Sequence, residues 1–168
     1  MKTIPILIMI TLLTSCGQIQ DKNNSQNKES NTNQPMIQMA ERIKINGLHN
    51  ALMKLQNGNT EYPFIGITSN GIDCIYFVFE NGKFNIEFEA MVEEQIPFVD
   101  KLKNFANTNN FKWAMTTYNN KPQYKSEKSA PVLRIETNST LDDITRIGEK
   151  IQIELFKNNN ETLFDIVP

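Results

Sequence analysis

Alternating apolar and polar positions between residues 62 and 91 predict three strands of an antiparallel sheet. The three runs cover residues 62–69, 72–80 and 83–91, and the pairs Asn70-Gly71 and Asn81-Gly82 separate them. Asn-Gly accepts the positive φ angles of a two-residue type I′ turn, and with alternating flanks it is a strong hairpin signal. We therefore predict a three-stranded meander.

Two-residue turns also fix which residues face each other, because side chains alternate between the two faces of a strand. This register places Ser69 opposite Ile72 and Glu80 opposite Lys83. The predicted core face carries Phe64, Gly66, Ile75, Phe77, Phe79, Phe84, Ile86 and Phe88. The predicted outer face carries Ile65, Ile67, Cys74, Tyr76, Val78, Asn85, Glu87 and Glu89.

A helical period of apolar residues precedes the meander and predicts a first helix from Pro35 to about residue 56. Proline suits a first helical turn, where its missing N–H costs nothing. Asn46-Gly47 lies in the middle, but the apolar stripe keeps its phase there, so we predict one bent helix. The stripe consists of Met36, Met39, Ala40, Ile43, Leu48, Ala51, Leu52 and Leu55.

The second half of the chain predicts a helix, two paired strands and a third helix. The second helix covers about residues 95–107, with Pro97 in its first turn. Strands over residues 111–118 and 132–137 flank a polar loop, which we expect to be mobile. A polar cap before Asp142 and Asp143 begins the third helix, which continues to about residue 158.

The last residues, 163–168, are too apolar to stay in solvent, so we expect them to pack against the body, for example as an edge strand. The predicted fold class is therefore α+β: an antiparallel sheet of about five strands with three helices, in the order α-β-β-β-α-β-β-α, over residues 35–168. This order resembles the fold of type III secretion chaperones and YbjN-type sensory domains across residues 36–160. The resemblance implies a shared topology and transfers no functional residue.

The N-terminus has the three parts of a secretory signal: one basic residue, an apolar run and small residues before a cleavage point. The apolar run over residues 4–13 is about half the ~20 residues that a membrane-spanning helix needs. Leu13-Thr14-Ser15-Cys16 resembles the lipobox of bacterial lipoproteins. The resemblance implies cleavage before Cys16, which then carries a diacylglyceryl thioether and further acyl chains such as palmitate. The alternative is an ordinary secreted protein with a chance cysteine.

These features divide the chain into a cleaved signal peptide (1–15), a polar linker (16–34) and the folded domain (35–168). The linker contains one aliphatic side chain, Ile19, so it cannot offset the entropy cost of ordering. Gly17 after the cysteine favours the outer membrane over the inner membrane as the location in the cell envelope. If Cys16 carries lipid, Cys74 has no disulfide partner, because the chain has two cysteines.

Charge and composition exclude several kinds of function. Without residues 1–15, sixteen basic residues face nineteen acidic ones, which gives no basic patch for nucleic acid. A metal site built on several histidines is excluded, because His49 is the single histidine. The sequence contains no Gly-rich phosphate loop and no Gly-x-Ser-x-Gly elbow, and we predict no cofactor.

Few side chains are candidates for chemistry, and each has an ordinary structural interpretation. His49 is expected on a helix surface, and Cys74 as a packing residue without a basic neighbour to activate it. Glu87 and Glu89 share a strand face at about 6–7 Å, a spacing compatible with paired-carboxylate chemistry or with a solvated face. Lys121, Lys125 and Lys128 make the loop over residues 119–130 mildly basic, either to contact an acidic partner or simply as a solvated loop.

Three functions remain open. The first is a membrane-anchored, non-catalytic protein-binding module, in which a half-apolar sheet face meets a partner protein or a second copy. Immunity against an antibacterial toxin and a chaperone-like role are versions of it. The second is an envelope enzyme that uses Glu87, Glu89 and His49, and the third is a structural envelope component without a ligand. The predicted binding face consists of Ile65, Ile67, Tyr76, Val78, Glu87 and Glu89.

Overall fold

A computed structural model describes residues 41–125 and 128–167. These residues form seven antiparallel strands in the order β1-β7-β2-β3-β4-β6-β5, with three helices on one face of the sheet. The strands are β1 (Arg42–Lys44), β2 (Phe64–Thr68), β3 (Ile75–Glu80), β4 (Lys83–Glu89), β5 (Lys112–Thr116), β6 (Val132–Ser139) and β7 (Leu163–Val167). The helices are α1 (Leu48–Gln56), α2 (Ile96–Thr108) and α3 (Leu141–Lys150), and α3 continues as a π-helical turn over Ile151–Leu155.

The α+β class, the second hairpin of the meander and several later elements are confirmed. β3 and β4 pair with Glu80 opposite Lys83, and Asn81 and Gly82 both have positive φ angles, 51° and 75°, as a type I′ turn requires. β5 and β6 pair antiparallel, and α2 begins within one residue of the predicted start. The side chain of Thr140 caps α3 by accepting a hydrogen bond from the backbone N–H of Asp143.

The predicted first helix is wrong between Arg42 and Gly47. Arg42–Lys44 is strand β1, a single 3₁₀ turn follows, and α1 begins at Leu48. The apolar stripe keeps a helical period across Asn46-Gly47. However, β1 gains backbone hydrogen bonds by pairing with β7, which lies more than 100 residues away. Local periodicity does not reveal such a distant pairing. Residues 35–40 of the predicted helix lie outside the described residues.

The C-terminal tail does form a strand, but β7 lies inside the sheet rather than at its edge. It pairs with β1 on one side and with β2 on the other. The aromatic ring of Phe164 is fully buried on the helix-covered face. The sheet therefore has seven strands instead of the predicted five, and β1 and β7 are the two additional strands. β1 precedes the first helix and β7 follows the last one, so the predicted element order is also extended at both ends.

The register of the first hairpin is also wrong, by one residue. β2 and β3 pair with Ile67 opposite Ile75, so residues 69–74 form a longer loop instead of a two-residue turn. Gly71 has a positive φ angle, 81°, but Asn70 does not, so the type I′ geometry is absent. A one-residue slip moves every side chain of one strand to the opposite face. Phe64 and Gly66 consequently leave the core face, and Ile65 and Ile67 join it.

The buried carboxylate of Asp73 holds this longer loop in place. It accepts hydrogen bonds from the Thr68 hydroxyl (2.7 Å), from the backbone N–H and hydroxyl of Ser69 (2.8 and 2.6 Å) and from the Asn158 amide (2.7 Å). Buried Gln152 donates to the Asp73 carbonyl at 3.0 Å. Because buried polar groups are costly without partners, this network selects the loop over a tight turn.

The helices cover one face of the sheet and enclose the core. α1 packs on β2, β3 and α3, and α3 also contacts β4 and β6. Gly148 lets α3 approach closely: a Cβ atom there would lie 2.7 Å from the ring of Phe77 and 2.8 Å from Leu48. The sheet's helix-covered side carries the fully buried side chains of Ile67, Ile75, Phe77, Phe84, Ile86, Phe88, Leu133, Ile135 and Phe164.

The Asp73 network predicts how stability depends on pH. Burial alone would raise the pKa of Asp73, but hydrogen bonds from Ser69, Thr68 and Asn158 outweigh it and lower the pKa below the ordinary value. The carboxylate therefore contributes to the free energy of unfolding above the pKa of the unfolded state, about 3.9. This contribution is lost as the pH falls through the lower pKa of the folded state. We expect Asp73→Asn to reduce the free energy of unfolding by about 2 kcal/mol near neutral pH.

Urea unfolding of the two proteins, at neutral pH and in acid, checks this expectation. The difference between wild type and Asp73→Asn should shrink in acid, where the native carboxyl is itself protonated. Asp100→Asn serves as the control, because Asp100 is exposed and pairs with Lys103 on the surface of α2. A difference that stays constant from neutral pH into acid would contradict the role assigned to Asp73.

Candidate binding groove

The face of the sheet opposite the helices carries a cavity of about 490 Å³. Its floor comes from alternate residues of four neighbouring strands: Phe64 of β2, Tyr76 and Val78 of β3, Glu87 and Glu89 of β4, and Val132 and Arg134 of β6. The corrected register brings Phe64 here, opposite Val78. Clefts of this volume with apolar walls and a few convergent polar groups are typical binding sites.

The segment after β5 closes one side of the cavity. The Tyr118 hydroxyl donates to Glu87 at 2.7 Å, and the Asn120 amide donates to Glu89 at 2.9 Å. Farther along, the Gln123 N–H donates to the Met91 carbonyl (2.8 Å) and the Tyr124 hydroxyl to the Ala90 carbonyl (3.0 Å). The described part of the loop predicted to be mobile is therefore bound to β4 and the residues after it.

Glu87 is the most buried ionisable group of the cavity, with 6% of its surface exposed. Arg134 lies directly opposite on β6 and donates to one carboxylate oxygen at 2.7 Å, while Tyr118 donates to the other. Arg134 also forms an ion pair with Glu80. Burial raises the pKa of Glu87, the Tyr118 hydrogen bond opposes that rise, and the neighbouring charge of Glu89 adds to it.

The cavity adjoins a second one of about 490 Å³, and Tyr76 and Glu89 line both. The second cavity extends past Cys74 towards Gln95, which holds the β2–β3 loop by donating to the carbonyls of Gly71 and Ile72. Gly66 lies beneath the ring of Tyr76: a Cβ atom there would be 2.8 Å from the ring and 2.6 Å from Val167. We call the two adjoining cavities the groove.

The groove contains four of the six residues of the predicted binding face and corrects the other two. Tyr76, Val78, Glu87 and Glu89 line it, whereas Ile65 and Ile67 lie on the helix-covered face, 5% and 0% exposed. The one-residue register shift causes this exchange. Sequence reasoning missed Phe64, Tyr118, Asn120, Val132 and Arg134. Alternation along β6 places Arg134 on the opposite face from Leu133 and Ile135. The sequence did not show that β6 pairs with β4, which brings Arg134 beside Glu87.

The structure does not bring together the three residues of the catalytic hypothesis. Glu87 and Glu89 share the groove, but His49 lies on α1 in the helix layer, with its Nε2 3.2 Å from Asp142 of α3. Cys74 lines the second cavity, and burial raises its pKa to about 11, which keeps the thiol protonated. Lys121, Lys125 and Lys128 are exposed. Cys16 and the lipobox lie outside the described residues.

Two further findings concern residues 41–125 and 128–167. Within these ranges, His, Cys, Asp and Glu side chains form no group of three or more that could hold a metal ion. The helices there are also too short or too polar to cross a membrane. Comparison of the chain with protein-family models, with curated proteins and with solved structures finds no match.

The contact between Tyr118 and Glu87 can be tested by titration. Tyr118→Phe removes a hydrogen bond that stabilises the Glu87 carboxylate, while burial and the charge of Glu89 remain, so the pKa of Glu87 should rise further. Carbon NMR of the side-chain carboxyl groups measures this pKa directly. Tyr62→Phe, at an exposed tyrosine just before β2, is the matched control and should leave it unchanged. An unchanged or lower pKa in Tyr118→Phe would contradict the geometry of the groove.

Proposed function

We propose that the chain is a non-catalytic protein-binding module of the cell envelope, and that the groove is its binding surface. The main support for this proposal is the composition of the groove. Aromatic and aliphatic side chains surround a few fixed polar groups there, on a sheet face where none of the three helices packs. Exposed surfaces of this mixed composition commonly mark sites of protein interaction. The partner is another protein or a second copy of the chain.

The state of the polar groups supports binding over catalysis. Both oxygens of Glu87 already accept hydrogen bonds, from Tyr118 and Arg134, and Cys74 is a protonated thiol at neutral pH. Two donors therefore hold Glu87 in place, and a cysteine nucleophile would need its ionised form near neutral pH. Fixed, hydrogen-bonded polar groups beside apolar walls instead give orientation and specificity to a bound partner.

The proposal includes the anchor that the sequence indicates. Lipid on Cys16, followed by the polar linker of residues 17–34, would keep the domain within reach of one membrane surface, and Gly17 favours the outer membrane. Multiple acyl chains on one residue give stable anchoring, where a single chain gives marginal binding. Immunity against an envelope toxin and chaperone-like holding of a client are two forms that such a tethered module can take.

Affinity capture with a groove variant tests the proposed function. Tyr76→Arg fills the junction of the two cavities and places a guanidinium beside Glu87 and Glu89, so it should abolish capture of specific envelope proteins, or self-association. Met53→Arg is the matched control, because Met53 is 40% exposed on α1, on the other side of the sheet. Its captured proteins and its sedimentation coefficient should equal those of the wild type.

Circular dichroism and thermal melting establish that each variant is folded. Val78→Lys is the second groove variant, in case Tyr76→Arg loses the packing of Tyr76 over Gly66. If folded groove variants capture the same proteins and sediment like the wild type and Met53→Arg, the proposed function is wrong.

A further inference from the structure

We propose that the groove holds a lysine or arginine side chain of the partner protein, with Glu89 as its counter-ion. This inference rests on the proposed function and names the chemistry of the partner. It follows from three features of the groove: the distribution of charge, the position of Glu89 and the aromatic rings around it.

The carboxylates of the groove outnumber its cations. Arg134 is shared between Glu80 and Glu87, which leaves Glu89 without a cationic partner in the described part of the chain. Among the described residues, the Glu89 carboxylate accepts one hydrogen bond, from the neutral amide of Asn120. A carboxylate accepts several hydrogen bonds, so Glu89 has capacity for a cation.

Glu89 stands where a ligand would meet it, because it lines both cavities together with Tyr76. It is two residues from Glu87 on the same face of β4, which corresponds to about 7 Å along the strand. Its negative charge raises the pKa of Glu87, so the two carboxylates repel each other. A cation bound between them would remove that repulsion, and the effect is stronger at a partly buried site than in water.

Aromatic rings complete the site. Phe64 and Tyr76 pack edge to face with their centroids 6.0 Å apart, and Tyr118 closes the opposite side. Ring faces attract ammonium and guanidinium groups, while the apolar walls accommodate the aliphatic stem of lysine or arginine. An acidic partner side chain would instead add to the unbalanced negative charge, so charge complementarity selects a basic one.

Short peptides test the chemistry without knowledge of the partner. We expect acetyl-Ala-Lys-Ala-amide and its arginine analogue to shift the backbone amide resonances of Tyr76, Glu89 and Tyr118 in the chain of 168 residues. The norleucine peptide has the aliphatic stem without the charge. It should bind at least about tenfold more weakly, the factor expected for loss of one charge-assisted hydrogen bond.

Glu89→Gln should weaken binding of the lysine peptide to the level of the norleucine peptide. Glu154→Gln, at an exposed position in the turn after α3, is the matched control and should not change it. Equal affinity for the lysine and norleucine peptides, unchanged affinity in Glu89→Gln, or no shift with any peptide would each overturn the inference.

Affinity capture with Glu89→Gln separates this inference from the proposed function. If Tyr76→Arg loses the partner and Glu89→Gln keeps it, the groove binds a protein without a basic side chain at Glu89, and this inference alone is wrong. If both variants keep the partner, the proposed function is wrong as well.

Discussion

The Asp73 carboxylate fixes the loop between β2 and β3, and with it the identity of each face of the sheet. Hydrogen bonds from Thr68, Ser69 and Asn158 surround it, and buried Gln152 ties the same residue to the end of the helix layer. The six-residue loop makes Ile67 face Ile75, and the side-chain period of two then decides the face of every residue along β2. Hydrogen bonds at one loop, including those from the distant residues Asn158 and Gln152, thus set the face that each residue of β2 occupies.

The groove depends on that register. With Ile67 opposite Ile75, the ring of Phe64 joins Val78 and Tyr76 on the open face, and Gly66 leaves room for the ring of Tyr76 above it. β4 supplies the acidic residues, and its pairing with β6 brings Arg134 to Glu87. Because Arg134 serves Glu80 and Glu87, Glu89 has no cationic partner among the described residues, and this imbalance is the basis on which we propose a basic partner.

Sequence patterns predicted the elements whose signals are local, and they failed where distant residues decide. Asn81-Gly82 forms the predicted type I′ turn, whereas at Asn70-Gly71 the hydrogen bonds of Asp73 hold a longer loop instead. Alternation along β4 correctly placed Glu87 and Glu89 on the face opposite the core. Periodicity does not reveal contacts between residues far apart in sequence. Two such contacts are the pairing of β1 with β7 and the hydrogen bond from Tyr118 to Glu87.

The most direct test of this account is the register of β2 and β3, measured by nuclear Overhauser contacts between backbone protons of the two strands. We expect contacts that pair Phe64 with Val78 and Gly66 with Tyr76, because this register places Phe64 in the groove and Ile65 in the core. Contacts that pair Ile65 with Tyr76 instead would return both isoleucines of β2 to the open face. That result would contradict the groove as described and the charge argument built on it.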